Sequence, residues 1–437
     1  MTAKKDTVSA MAHLIGNRLY GFLLLVIMVC GLGCNQSPLS PLEFQMDMVE
    51  LRLNENSDTP FTQEQLQNLA DVMTALFGSP DQPYVPSDPE MGLHEVVDLI
   101  NLKMASGAVG SDQLGKPSGL FRKHCVHCHG VTGDGKGPTS AFLNPYPRDY
   151  RTGVFKFKST GKGIRPTHRD LTRILINGVA GTSMPSFALL PDDEREALLD
   201  YVRYLSIRGE VERSLIFELS DLDEGELLVD PNDQDEGMDI VKGAVSLVVN
   251  RWKQAGDSVG EIPARPDWRG DELHASIARG RELFNGAVAN CVKCHGNAAL
   301  GDGQTNDFDD WTKNGVVKLA EELKRSQGQL AGVSDDQKDN LESYIRKVES
   351  ALEGSLTMRN IKPRNLRQGV YRGGRRPIDL YWRITNGIDG TPMPALKLLP
   401  PEDVWHLIDY VRSLPYESIS RPQFETGSYQ VDRHRPL

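Results

Sequence analysis

Cys125-Val126-His127-Cys128-His129 and Cys291-Val292-Lys293-Cys294-His295 decide the reading of this chain, because a second short pattern follows each of them. After the first comes Gly181-Thr182-Ser183-Met184-Pro185, and after the second Gly390-Thr391-Pro392-Met393-Pro394. Two cysteines three apart can each form a thioether to one vinyl group of a single haem. The adjacent histidine then offers an imidazole nitrogen to the iron. A methionine thioether from the other side fills the sixth position and raises the reduction potential relative to two histidines. The pattern predicts two covalently bound haem c groups, attached through Cys125 and Cys128 and through Cys291 and Cys294. The iron ligands would be His129 with Met184, and His295 with Met393. A zinc or redox-dithiol reading of one such pentapeptide is the alternative. Zinc needs two further Cys or His ligands, and neither motif has a second cysteine pair nearby.

Working outward, the chain aligns on itself. Pro147-Arg148-Asp149-Tyr150-Arg151-Thr152-Gly153-Val154-Phe155 matches Pro363-Arg364-Asn365-Leu366-Arg367-Gln368-Gly369-Val370-Tyr371. Ile174 to Gly178 matches Arg383 to Gly387, and Asp200-Tyr201-Val202-Arg203 matches Asp409-Tyr410-Val411-Arg412. Parts repeated in one order predict two homologous domains, at 111–208 and 271–416. Both read as mainly α. Val404, Leu407, Ile408, Val411 and Leu414 form a stripe of helical period near the end of the second, and Leu198, Tyr201, Val202 and Leu205 repeat it in the first.

The stretch from His295 to Met393 is much longer than that from His129 to Met184, and the excess falls in 307–355. There Leu341, Ile345, Val348 and Leu352 share a helical face, Ser334 and Gln337 have the spacing of a capping box, and Gly354 marks the stop. The expectation is a helical insertion covering one flank of the second haem domain. Met358 is a rival to Met393 as iron ligand, but lacks the Gly-Thr-x-Met-Pro surroundings. His168, His406 and His127 would compete only if a methionine failed, and His124 reads as a surface residue ahead of the motif.

Residues 34–110 read as a tether and a helical amino-terminal extension. Within it Thr62 and Gln65 could cap a helix carrying Leu66, Leu69, Met73 and Leu76 that closes at Gly78, and a second short helix falls between Met91 and Met104. Residues 209–270 read as an acidic linker, since 218–239 is rich in Asp and Glu with no Lys or Arg. A docking patch for a basic partner is the other reading of that run. Residues 417–437 read as a tail.

With these elements in order, the chain resembles the class I c-type cytochromes in a tandem di-haem arrangement. Its nearest likeness is to cytochrome c subunits found with cbb-type haem-copper oxidases and related bacterial respiratory enzymes. The resemblance implies that the helix before each motif crosses the last helix with a small residue at the contact. Gly280 and Phe284 against Tyr410 fit that pattern; in the first domain Phe121 fits, but Pro117 stands at the small-residue place, so its first helix should be short. The resemblance also implies a proline carbonyl receiving the proximal histidine N–H. Pro138 matches that element, whereas the second domain has Thr305-Asn306 at the aligned place, which implies two electronically unequal haems. Arg148 and Arg364 fall where a guanidinium could meet a haem propionate, a surface position being the alternative.

At 437 residues and a net charge of −11, the chain reads as globular, acidic and unsuited to nucleic acid. Lys4, Lys5 and Arg18 precede an apolar run from Leu19 to Leu32 that ends at Gly33-Cys34, the layout of a secretory signal over 1–33. Gly-Leu-Gly-Cys resembles a bacterial lipoprotein cleavage site with Cys34 as the lipidated residue; ordinary cleavage or an uncleaved anchor are the alternatives. Of six cysteines, four belong to the haem motifs, and Cys34 and Cys30 to the leader. These readings predict an exported, membrane-anchored protein facing the periplasm. Its expected role is electron transfer in a bacterial respiratory chain, as a carrier or as the cytochrome subunit of a membrane complex. The partners would be redox proteins, a terminal oxidase or quinol-oxidising complex among them. The competing expectation is a haem enzyme, a di-haem peroxidase or a sulfur- or nitrogen-oxide oxidoreductase, with one labile axial site.

Overall fold

The computed structural model describes residues 42–420, apart from 57–58, 224, 234, 305–306 and 310–311. The leader with Cys34, the Thr305-Asn306 pair and residues 421–437 lie outside the described residues. The contacts gather both repeats into one unit beginning at Glu43.

Among the described residues, three α-helices precede the first repeat: α1 (Met48–Asn54), α2 (Gln63–Phe77) and α3 (Leu99–Ala105). The Thr62 hydroxyl and the Gln65 side chain cap α2 reciprocally, and the helix stops at Gly78. A tether was expected ahead of the helix capped by Thr62. Instead Asp47 caps α1, Leu51 is fully buried, and Phe44 and Met46 pack against the first core.

The short strands β1 (Gly110–Ser111) and β2 (Pro117–Ser118) pair antiparallel. Pro117 sits in β2, so the helix before the motif, α4 (Leu120–His124), is only five residues long. The motif turn is α5 (Val126–His129), and then come α6 (His168–Asn177) and the closing helix α7 (Asp192–Ser220). Helix α3 packs along α7 beside the shortened α4. Leu102 and Ala105 are fully buried, and the Asn101 amide donates to Asp200 Oδ2 at 2.7 Å.

The linker expected at 209–270 proves to be largely structural. Helix α7 runs on to Ser220, and α8 (Asp235–Lys253) folds back against it. Val211, Leu215, Ile216 and Leu219 on α7, with Val241, Val245, Val248, Val249 and Trp252 on α8, lie in the first core. Burying each such aliphatic side chain is worth about 1.5–3 kcal/mol, so apolar spacing outweighed the acidic composition. Much of the acidic run falls in the turn between the two helices, and after Ser258 the chain is again without helix or strand up to Gly270.

The second repeat comprises α9 (Asp271–Asn285), the motif turn α10 (Val292–His295), the insertion helices α11 (Lys318–Gln329) and α12 (Asp335–Glu353), then α13 (Pro377–Asn386) and α14 (Pro401–Ser413). Strands β3 (Asp307–Phe308) and β4 (Asn360–Ile361) pair antiparallel and close the insertion at its base. The insertion has its own core of Leu319, Leu341, Tyr344, Ile345, Val348 and Ala351, against which Val49 and Leu53 of α1 pack. The Tyr344 hydroxyl donates to the Arg52 carbonyl at 3.2 Å. Rather than covering a flank of the second haem domain, the insertion docks on the amino-terminal extension, which in turn packs on α7.

Candidate haem sites

Each motif is one turn of helix. The Cys125 carbonyl accepts from the amides of Cys128 (3.1 Å) and His129 (2.9 Å), and the Cys291 carbonyl from those of Cys294 (3.2 Å) and His295 (2.9 Å). Residues three and four apart share a helix face, so one turn presents both thiols and the imidazole to the same side. No disulfide joins the four motif cysteines, and burial pushes the Cys125 thiol up to about 12 and the Cys291 thiol to about 11. Among the described residues no cluster of three or more His, Cys, Asp or Glu is placed to hold a metal ion.

The proximal histidines are held alike. His129 Nδ1–H donates to the Arg148 carbonyl and His295 Nδ1–H to the Arg364 carbonyl, each at 3.1 Å. A carbonyl can only accept, so the ring proton sits on Nδ1 and Nε2 keeps its lone pair for iron. Burial, partly opposed by the Arg148 carbonyl, pushes His129 down to about 4, and burial also lowers His295. Both imidazoles are therefore neutral near pH 7.

This corrects the expectation for Pro138, which is exposed and does not receive the His129 proton. The acceptor in both repeats is the arginine carbonyl of the Pro-Arg segment, so the proposed inequality through proline disappears. A different asymmetry replaces it. Tyr150 stacks on His129 with centroids 4.6 Å apart and planes 15° apart, whereas Leu366 holds the aligned position in the second repeat.

The crossing of first and last helices is also built twice. Phe284 meets Tyr410 edge-on at 5.4 Å, and Phe121 meets Tyr201 at 4.9 Å. Gly280 lies against the His406 carbonyl, where a Cβ would overlap it.

The methionine loops share one scheme. Helices α6 and α13 end at Gly178 (φ +62°) and Gly387 (φ +70°), and a side chain at either would strike the loop that follows. Val179 N–H donates to the Met184 carbonyl (3.1 Å), and Ile388 N–H to the Met393 carbonyl (3.3 Å). The Thr182 and Thr391 hydroxyls donate to the carbonyls of Val179 (2.7 Å) and Ile388 (2.8 Å). They also accept from the amides of Met184 and Met393, both at 3.2 Å. The threonine of Gly-Thr-x-Met-Pro thus fixes the loop that carries the thioether.

In the first repeat these parts line one cavity. Cys125, Cys128, His129 and Met184 share it with Leu171, Leu175, Leu198 and Val202. An apolar cleft bearing two thiols, a neutral imidazole and a thioether fits a haem. Met358, the rival ligand, is 42% exposed and belongs to neither domain core. His168 pairs with Glu196 on the surface, while His406 stacks on Trp268 and meets Ser276 Oγ at 2.8 Å. His127 and His124 both line the first cavity, and His124 is half-buried with its ring edge-on to Phe187 rather than a free surface residue.

Arg148 lines the first cavity. The Arg364 guanidinium points across the domain boundary: its Nε donates to the Val370 carbonyl at 3.3 Å, and its Nη2 lies 2.5 Å from where a Cβ on Gly181 would sit. The repeats meet through aligned positions. Arg173 pairs with Asp379 at 2.8 Å and stacks over Trp382, its counterpart in the second repeat, while Phe157 packs on its counterpart Gly373. Lys162 Nζ donates to the Thr391 carbonyl of the second methionine loop at 3.0 Å. Self-alignment holds these pairings implicitly, but only the fold brings them together.

The cytochrome c family profile matches residues 116–206 and 277–415. No curated protein matches the chain. Among solved structures, the reducing HAO-like protein complex of Kuenenia stuttgartiensis is similar at 23% identity, over 70% of this chain and 99% of that chain, with a TM-score of 0.41.

Proposed function

Because the chain belongs to the cytochrome c family, we propose that it is an electron-transfer protein carrying two haem c groups, one in each repeat. Haem c supplies one-electron cycling between ferrous and ferric iron. The observation that carries the count of two is the duplicated ligand geometry: each proximal imidazole donates to an arginine carbonyl at 3.1 Å, and each methionine loop is tied by its threonine. His129 with Met184 and His295 with Met393 would occupy both axial positions, leaving no iron face for a substrate. That favours a carrier over a peroxidase or an oxidoreductase acting at iron.

The wider setting is read from sequence. The basic residues before the Leu19–Leu32 run and the Gly33-Cys34 junction support export and a lipid anchor on Cys34, with the haem domains on the periplasmic side of a bacterial membrane. No helix among the described residues is long and apolar enough to cross a membrane. The partners would be redox proteins of a respiratory chain, a terminal oxidase or quinol-oxidising complex among them.

The test is the mass and electron count of the full-length protein. Thioether attachment predicts that denatured chain retains two haems, and that fully reduced protein passes two electrons per chain to a one-electron acceptor. Haem released on denaturation, or one electron per chain, would contradict the reading.

A further inference from the structure

The first haem cavity is lined by a residue of the other repeat. Arg372, which follows the second Pro-Arg segment, shares that lining with Arg148 and Lys156. Self-alignment places Arg372 opposite Lys156, so two matching cations converge at the seam where the repeats meet. Asp170 is the acid among the lining residues, and it is engaged with the amide and hydroxyl of Ser159 at 3.0 and 2.9 Å. Lys156 pairs with Asp309 of the insertion at 2.5 Å. Arg372 Nε is buried and has no hydrogen-bond partner among the described residues.

Like charges drawn together in the lining of an apolar cleft are costly unless an anion joins them. Burial lowers Arg372, and the nearby Arg364 lowers it further; burial and then Arg148 likewise lower Lys156, to about 8, with Asp309 only partly opposing both. A haem carries two propionate carboxylates on one edge, and a guanidinium binds a carboxylate through a fork of parallel N–H groups. Resting on the di-haem reading above, we infer that Arg372 of the second repeat is a propionate-binding residue of the haem in the first repeat. The first site is then completed by the second domain, and the potential of one haem depends on how the two domains are joined.

A positive charge beside the haem favours the ferrous state. A unit charge about 10 Å from iron, at an effective dielectric near 20, changes the ferrous-to-ferric ratio at fixed potential by roughly tenfold, about 59 mV for a one-electron couple. The experiment is a potentiometric optical titration of full-length, haem-loaded protein. Met184→His serves as a background that labels the first haem, since exchanging methionine for histidine lowers its potential. Arg372→Gln should lower the labelled component by an amount of that order and leave the other in place. Arg372→Lys, keeping the charge, should retain most of the original value, which separates lost charge from misfolding. Arg375→Gln, an exposed neighbour paired with the Tyr416 hydroxyl, should move neither component.

A shift confined to the second haem, no shift, or equal shifts in Arg372→Gln and Arg375→Gln would overturn the assignment while leaving the di-haem reading intact. Wild-type protein that takes up fewer than two electrons per chain would instead overturn the di-haem reading, and this assignment with it.

Discussion

Substituting Gly280 by alanine tests whether the second domain is built on a close helix crossing. A Cβ at Gly280 would overlap the His406 carbonyl and lie 2.7 Å from Tyr410 Cβ. The carbonyl belongs to the backbone of α14 and cannot swing aside, so α9 and α14 must separate. Overpacking of this kind costs about 1–3 kcal/mol, and the rigid obstacle argues for the upper end. Alanine recovers about 1 kcal/mol of helix propensity, leaving a net loss near 2 kcal/mol. Gly243 in α8 is the internal comparison: it is exposed, with nothing within 4 Å of the added methyl. Gly243→Ala should therefore stabilise by up to about 1 kcal/mol. At about 2 °C per kcal/mol for a unit of this size, the two variants should melt roughly 6 °C apart. Melting followed by circular dichroism and by absorbance at the haem measures the difference. Gly280→Ala melting at or above Gly243→Ala would refute the close crossing.

Two further perturbations address the ligands and the first core. Met393→Ala should remove the His/Met spectral signature from one haem, while Met358→Ala should leave both unchanged; the reverse pattern would transfer the ligand role to Met358. Glu210 accepts from Arg165 Nε at 2.9 Å and from Trp252 Nε1 at 3.0 Å, yet its burial raises its pKa above the ordinary 4.5. The folded chain therefore holds that proton to higher pH than the unfolded chain, and stability from this group falls as pH rises through the window just above 4.5. Melting temperatures of wild type minus Glu210→Gln should accordingly decline as pH rises through that window, and a difference that grows with pH would show the opposite sign.

The sequence exposed what side chains declare and concealed what backbone and tertiary contacts decide. The motifs and the methionine loops could be read directly because each depends on residue type at fixed local spacing, whereas the Phe284–Tyr410 crossing was implied by the family resemblance. The acceptor for the proximal histidine could not, since a carbonyl has no residue signature; the repeated Pro-Arg segment was visible, but its guanidinium drew attention instead of its main chain. The linker reading failed because charge was weighed over Val241, Val245, Val248 and Val249, whose spacing marks the buried face of α8. The docking of the insertion on α1, and the reach of Arg372 into the other repeat's cavity, join residues distant in sequence. Neither contact leaves a trace in local pattern.

The central claim is that both irons sit between a histidine and a methionine. Adding carbon monoxide to purified, dithionite-reduced protein after counting its haems tests this most directly. Two covalent haems per chain with spectra unchanged by carbon monoxide is the result expected of a six-coordinate electron carrier. A shifted band in either haem would reveal an open or labile axial site and contradict the account.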